Sequence, residues 1–262
     1  MKITVVCGYD YSKHTLALLH LLRQEGISIE ECLIVSEYSF KRFAYFYRQL
    51  DKKEFVKKFK DRIFGNITNV TMSDEVKYIL ALCKQHNIKE NKVSLYCKNN
   101  TIKYKIVDNL NSPETLQFIS GTDLAVYTGG GIIRKSFLEK FKIGVLNCHG
   151  GKLPEMRGMN VAEWSVLLGI PCVNTLHFMA RELDMGPIIE IISHDFDSCE
   201  NIDQLRGLGI NYTVHDLVYG VKKIISNDYQ LTVQKKEEGK QYFLMHPILK
   251  DIVNKKLFLS HV

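Results

Sequence analysis

An amide, an imidazole and a carboxylate occur in close succession at Asn147, His149 and Asp184, within the stretch 144–187. Acyl transfer to an amine needs a base for the amine proton and a donor for the charge that develops on the carbonyl oxygen. A neutral imidazole, with an ordinary pKa near ~6.5, accepts a proton at physiological pH, which suits His149 to the first task. Asn147 carries N–H groups that cannot ionise, so it stabilises an oxyanion without competing as a base. A carboxylate beside the imidazole would fix its orientation and favour its charged form, and Asp184 is the candidate. Each residue alone also has a structural reading, as a hydrogen-bonding histidine at a strand end or a capping aspartate in a turn. Their combination points to chemistry. Cys148 lies between two of the three and raises a covalent thioester alternative, but strand alternation turns it to the opposite face.

These groups need a strand end and a turn to present them. The apolar run 141–146 leads directly into Asn147, so a buried strand delivers the amide and the imidazole to a sheet edge, and 150–154 reads as a turn. Upstream, 2–7 and 32–35 read as strands around a helix at 15–23, a βαβ opening. Residues 74–86 and 113–119 have helical spacing, 93–97 reads as a strand, and 124–127 is a strand followed at once by Gly129, Gly130 and Gly131. That glycine run is either a plain turn or a place where a flat ligand approaches the backbone. It has neither the G-x-G-x-x-G spacing of a dinucleotide site nor a Walker lysine. The segment 40–64 reads as a pair of basic, aromatic amphipathic helices, with a solvated face or a rim for a phosphorylated substrate. A long amphipathic helix is expected at 203–225, a β-hairpin from 230–234 and 241–245, and a closing helix at 247–257.

Composition sets the surroundings. The chain of 262 residues is 45% hydrophobic and carries a net charge of +6, enough for a full core and consistent with an anionic substrate as readily as with nucleic acid. No apolar run is long enough to span a membrane and the amino terminus does not read as a signal peptide, so a cytoplasmic protein without a membrane partner is expected. The seven cysteines are scattered without a Cys-x-x-Cys pair, which argues for reduced thiols and against structural zinc.

Asn147-x-His149, Leu153-Pro154, Arg157-Gly158, Thr175-Leu176-His177 and Asp184-x-Gly186-Pro187-Ile188-Ile189 together resemble the signature of the folate-dependent formyltransferases, over residues 121–192. The resemblance implies a doubly wound, mainly parallel α/β sheet flanked by helices, a formyltransferase-like Rossmann variant, with 10-formyltetrahydrofolate as cosubstrate and no metal. It carries the catalytic trio onto Asn147, His149 and Asp184. By the same resemblance the pterin lies between the loop holding Thr128, Gly130, Gly131, Ile132 and Ile133 and the loop holding Leu183. Leu138 either lines that pocket or belongs to the core, and His177 either sits near the reacting centre or packs behind it.

The acceptor is read from departures within the family. Glycinamide ribonucleotide enzymes hold a phosphate in a Gly-Ser-rich loop after the first strand, whereas this chain has Cys7-Gly8-Tyr9-Asp10-Tyr11 there. Residues 229–262 are too few for the β-barrel of methionyl-tRNA formyltransferases, so no nucleic-acid partner is expected. The nucleotide-sugar branch resembles the chain in Arg157, Gly158, Asn160 and Trp164 and in a short appendage, giving a catalytic domain at 1–228 and an appendage at 229–262. The expected acceptor is therefore a nucleotide-linked amino sugar of lipopolysaccharide or surface-polysaccharide synthesis, contacted by Gly8, Tyr9, Lys152, Arg157, Asn160 and His177. Trp164 either touches the sugar or packs in the core. The alternatives are a phosphoribosylglycinamide formyltransferase and a non-catalytic folate-binding protein; an RNA-binding module is disfavoured by the dispersed lysines. The appendage either forms the surface of a homodimer, the reading preferred, or covers the sheet edge.

Overall fold

The computed structural model describes residues 1–36 and 74–259. The strands are β1 (Ile3–Cys7), β2 (Ile29–Val35), β3 (Lys103–Val107), β4 (Leu124–Tyr127), β5 (Gly144–His149), β6 (Met156–Gly158), β7 (Val173–Phe178), β8 (Ile188–Ser193) and β9 (Lys240–Tyr242). The helices are α1 (Lys13–Gln24), α2 (Asp74–Gln85), α3 (Val93–Asn99), α4 (Pro113–Phe118), α5 (Lys135–Leu138), α6 (Val161–Leu168), α7 (Ile202–Ile225) and α8 (Pro247–Leu259).

Strand alternation explains the layering. In β1, Ile3, Val5 and Cys7 join the apolar cluster that also takes in Leu16, Leu19 and Leu22 of α1 and Val214, Leu217 and Val221 of α7. Val6 joins the opposite cluster with Phe137 and Phe141. A strand apolar on both faces needs helices on both, which is the doubly wound arrangement. The seven-stranded sheet runs β3-β2-β1-β4-β5-β7-β8, parallel from β3 to β5 and antiparallel from β5 to β8. The chain leaves β1 toward β2 on one side and returns to β4 on the other, so a crevice opens beyond the carboxyl ends of β1 and β4. There the backbones of Gly8 and Gly129 meet: a Cβ on Gly8 would lie 3.4 Å from the Gly129 carbonyl carbon.

Two expectations are corrected. Residues 93–97 form part of helix α3, because their buried positions Val93, Tyr96 and Cys97 follow helical spacing. Its first turn is held by Asp10, whose carboxylate accepts from the Ser94 amide at 2.7 Å and the Ser94 hydroxyl at 2.8 Å. The third strand is instead the largely exposed edge Lys103–Val107. After α7 no hairpin forms: Thr232 bridges to Ile188, and β9 pairs in parallel with β6 in a separate two-stranded sheet. The closing helix is present as α8, packed through Val253 and Leu257 against Leu205 of α7. The basic aromatic segment 40–64 lies outside the described residues. Among those described, no helix is long and apolar enough to cross a membrane.

Candidate active site

β5 places the first two groups. Val145 packs on the cluster of Phe137 while Leu146 packs on that of α7, so two-residue alternation puts Asn147 and His149 on the Val145 face and Cys148 on the other. Cys148 accordingly points at Asp216 of α7, with Sγ 3.8 Å from Oδ2. Burial and the Asp216 charge push its thiol pKa well up, so it stays protonated.

His149 is buried, and its Nε2 lies 2.8 Å from the Met156 carbonyl. A carbonyl only accepts, so Nε2 carries the proton and Nδ1 is the basic nitrogen. Nδ1 lies 3.6 Å from Asp184 Oδ2, longer than a hydrogen bond but close enough to stabilise a proton gained there. The ring is thus oriented by Met156, and Asp184 supplies charge. Asp184 sits on the β7–β8 loop with φ +53°, a left-handed conformation that aspartate tolerates better than most residues. Its Oδ2 accepts from the Gly158 amide at 2.9 Å.

His177 resolves onto the site. The antiparallel register sets it opposite Asn147, and its Nε2 lies 3.0 Å from Asn147 Nδ2 while Nδ1 lies 3.0 Å from the Phe178 carbonyl. Nδ1 therefore donates and Nε2 accepts, which holds the Asn147 amide nitrogen in place. Burial, with the neighbouring His149, lowers the His177 pKa to about 4, so it acts as a neutral acceptor.

The loop after β4 divides into inward and outward groups. Thr128 Oγ1 is 2.9 Å from the Val6 carbonyl and 2.7 Å from Thr15 Oγ1. Gly130 is needed for packing, since a Cβ there would stand 2.9 Å from Leu110 Cδ1. Ile133 is buried in the core and Leu138 packs partly against it. Gly131 and Ile132 face outward, Ile132 being 84% exposed, and Leu183 is exposed beside Asp184. Asn111 holds the loop, donating to the Ile132 carbonyl at 2.9 Å and accepting from the Arg134 amide at 2.7 Å. Tyr127 holds it again through Gly131, with 2.8 and 2.9 Å bonds to its carbonyl and amide.

Of the expected acceptor contacts, Gly8 and exposed Tyr9 stand at the crevice, while Lys152 pairs with Glu155 at 2.6 Å. Arg157 is buried, donates to the carbonyls of Lys236 and Gly239 at 2.8 and 2.6 Å, and contacts the Met185 sulfur. Asn160 is likewise engaged, bonding Glu163 and the Met245 amide at 2.9 Å each, and Trp164 Nε1 donates to the Phe243 carbonyl at 2.9 Å. The residues missing from the sequence reading, Met156, Asn111 and Gln234, act through backbone groups or long-range contacts that leave no local motif, and Gly158, named there only as part of the family signature, acts through its amide. Among the described residues no cluster of three or more histidine, cysteine or acidic side chains is arranged to hold a metal.

No family model matches the chain. It is 35% identical over 79 residues to "Formyltetrahydrofolate deformylase 2, mitochondrial" of Arabidopsis thaliana, covering 29% of this chain and 24% of that protein. It is 34% identical over 86 residues to a methionyl-tRNA formyltransferase of Borrelia garinii subsp. bavariensis, covering 32% and 27%. The chain thus spans less than half the length of these curated relatives. Among solved structures it is similar to a sugar N-formyltransferase from Shewanella sp. FDAARGOS_354, with a TM-score of 0.57 and 13% identity over 98% of this chain and 87% of that one. WlaRD, a sugar 3N-formyl transferase crystallised with dTDP and 5-N-formyl-THF, gives a TM-score of 0.57 at 12% identity over 98% and 79%. The chain has the fold of the folate-dependent formyltransferases.

Proposed function

We propose that this chain is a folate-dependent N-formyltransferase whose acceptor is the amine of a nucleotide-linked amino sugar. The observation that carries the reading is the convergence of Asn147, His149 and Asp184, with Asn147 held by His177 and the His149 ring by Met156. The local likeness to a deformylase of formyltetrahydrofolate and to a methionyl-tRNA formyltransferase supports the one-carbon chemistry. Similarity to sugar N-formyltransferases over nearly the whole chain supports the acceptor class. Outward-facing Ile132 and Leu183 suit an apolar ring face and support the folate cosubstrate.

10-Formyltetrahydrofolate supplies the formyl carbon and departs as tetrahydrofolate. Asn147 donates an N–H to the formyl oxygen as charge develops on it. His149 takes the proton of the attacking amine at Nδ1, where Asp184 stabilises the resulting imidazolium, and returns it to the departing folate nitrogen. The new C–N bond replaces the old one, and the proton balance closes on His149.

The test is tetrahydrofolate release from 10-formyltetrahydrofolate with nucleotide-linked amino sugars, with glycinamide ribonucleotide and with no acceptor. Turnover with an amino sugar that is lost in His149→Ala supports the reading. Turnover with glycinamide ribonucleotide alone moves the protein to purine synthesis, and release without any acceptor makes it a hydrolase. The expected homodimer rests on exposed Phe243, Leu244, Ile248 and Ile252 after β9 and on α8; a monomer in sedimentation velocity removes it. We propose with it a cytoplasmic site of action and a role in surface-polysaccharide synthesis.

A further inference from the structure

We infer that Gln234 and Arg157 are positioning residues that set Asp184 against His149, so that the chain beyond α7 is part of the active site; the inference rests on the function proposed above. Asp184 sits at a φ of +53°, which aspartate tolerates better than most residues but which still costs more than the right-handed or extended regions. Neighbouring contacts hold the loop in that conformation. Gln234, buried at 7% exposure, does so from 50 residues away: its Nε2 donates to the Asp184 carbonyl at 2.9 Å and to the Gly186 carbonyl at 2.6 Å. The loop is thereby gripped on both sides of Met185.

Arg157 closes the grip from the other direction. Its guanidinium touches the Met185 sulfur and bonds the Lys236 and Gly239 carbonyls on the segment that follows Gln234. The next residue, Gly158, pairs with Tyr242 of β9 and gives its amide to Asp184 Oδ2 at 2.9 Å. Beyond the loop, Thr232 and Ile188 exchange two backbone bonds of 2.9 Å. The 3.6 Å approach of Asp184 to His149 therefore depends on contacts supplied by residues 232–242. Both side chains act through Asp184, whose loop they order before any reactant arrives.

The experiment is a double-mutant cycle in the full chain, combining Gln234→Met with Asp184→Asn and reading kcat and KM for both substrates. Gln234→Met is expected to lower kcat by about 10-fold or more with both KM values within about 3-fold, and to add less than about 2-fold in the Asp184→Asn background. A wild-type kcat, or a full additional loss in that background, overturns the inference. If a thermal melt shows that Gln234→Met does not fold, Arg157→Lys, which keeps the charge but loses the two-pronged reach, enters the same cycle with the same criteria. A readout independent of turnover is the imidazole NMR signal of His149, which is expected to move in Gln234→Met in the direction seen for Asp184→Asn. An unmoved signal defeats the positioning role whatever the reaction. A moved signal in a protein that transfers formyl to no acceptor leaves the positioning intact and defeats only the assigned function.

Discussion

Asn147 and His177 face each other across the antiparallel β5–β7 pair, joined by a 3.0 Å hydrogen bond in which the buried, neutral imidazole accepts from the amide. The oxyanion donor of the proposed reaction thus has its own orienting group, separate from the His149–Asp184 pair. Replacing His177 by Phe fills the space but removes the acceptor. The expected result is a fall in kcat of about 10- to 100-fold, less than the 10²–10³ typical of deleting an oxyanion donor outright, with partial recovery in His177→Gln. Steady-state kinetics decide it, and equal losses in the two variants would remove the hydrogen bond from the argument.

The same histidine predicts an acid limit to stability. Burial depresses the folded-state pKa of His177 to about 4 against an ordinary 6.5, and burial lowers that of His14 to about 4 as well. Between those values the unfolded chain takes up protons that the native chain refuses, so the stability is full above about pH 6.5 and is lost as the pH falls toward about 4. Denaturant unfolding across this window is expected to show a shallower loss in His177→Gln than in the wild type. An identical slope in both proteins would rule out a contribution from His177.

Gly158 has no room for a side chain: its φ is +102° and a Cβ would overlap the Tyr242 carbonyl. Gly158→Ala is expected to part β6 from β9, withdraw the amide from Asp184 and destabilise the fold by roughly 2–4 kcal/mol. Thermal unfolding and turnover measured together check both consequences. A stable variant with wild-type turnover would show that neither contact matters.

Asn111 ties the glycine loop on both sides of Ile133 through the Ile132 carbonyl and the Arg134 amide. Asn111→Ala loosens that loop without touching Asn147, His149 or Asp184. A rise in KM for 10-formyltetrahydrofolate of about 10-fold, with kcat little changed, is the expected pattern of lost uniform binding. A loss confined to kcat would place the loop elsewhere in the mechanism.

Cys148, though flanked by Asn147 and His149, faces Asp216 and keeps its proton. Cys148→Ala is expected to retain turnover within about 3-fold, because the proposed step is a direct transfer that leaves the thiol unused. Abolished turnover together with a formylated Cys148 in the wild-type protein, detected by mass spectrometry, would establish the covalent route instead.

Strand alternation, helical spacing and the order of chemical groups were legible in the sequence, since each is a local pattern. They sufficed for β1, β4, α1, α7 and β5, while Asn147, His149 and Asp184 were proposed from their chemistry and from a family resemblance, and the fold brings His149 and Asp184 to 3.6 Å. Tertiary structure decided that residues 93–99 are a helix, because the packing that buries Val93, Tyr96 and Cys97, and the Asp10 carboxylate that holds the first turn, come from elsewhere in the chain. It decided that β9 pairs with β6, that Arg157 serves the protein's own carbonyls, and that Met156 orients the His149 ring. The physical reason is common to all four. Backbone amides and carbonyls are the same in every residue, so which buried donor meets which acceptor is settled only when distant segments pack together.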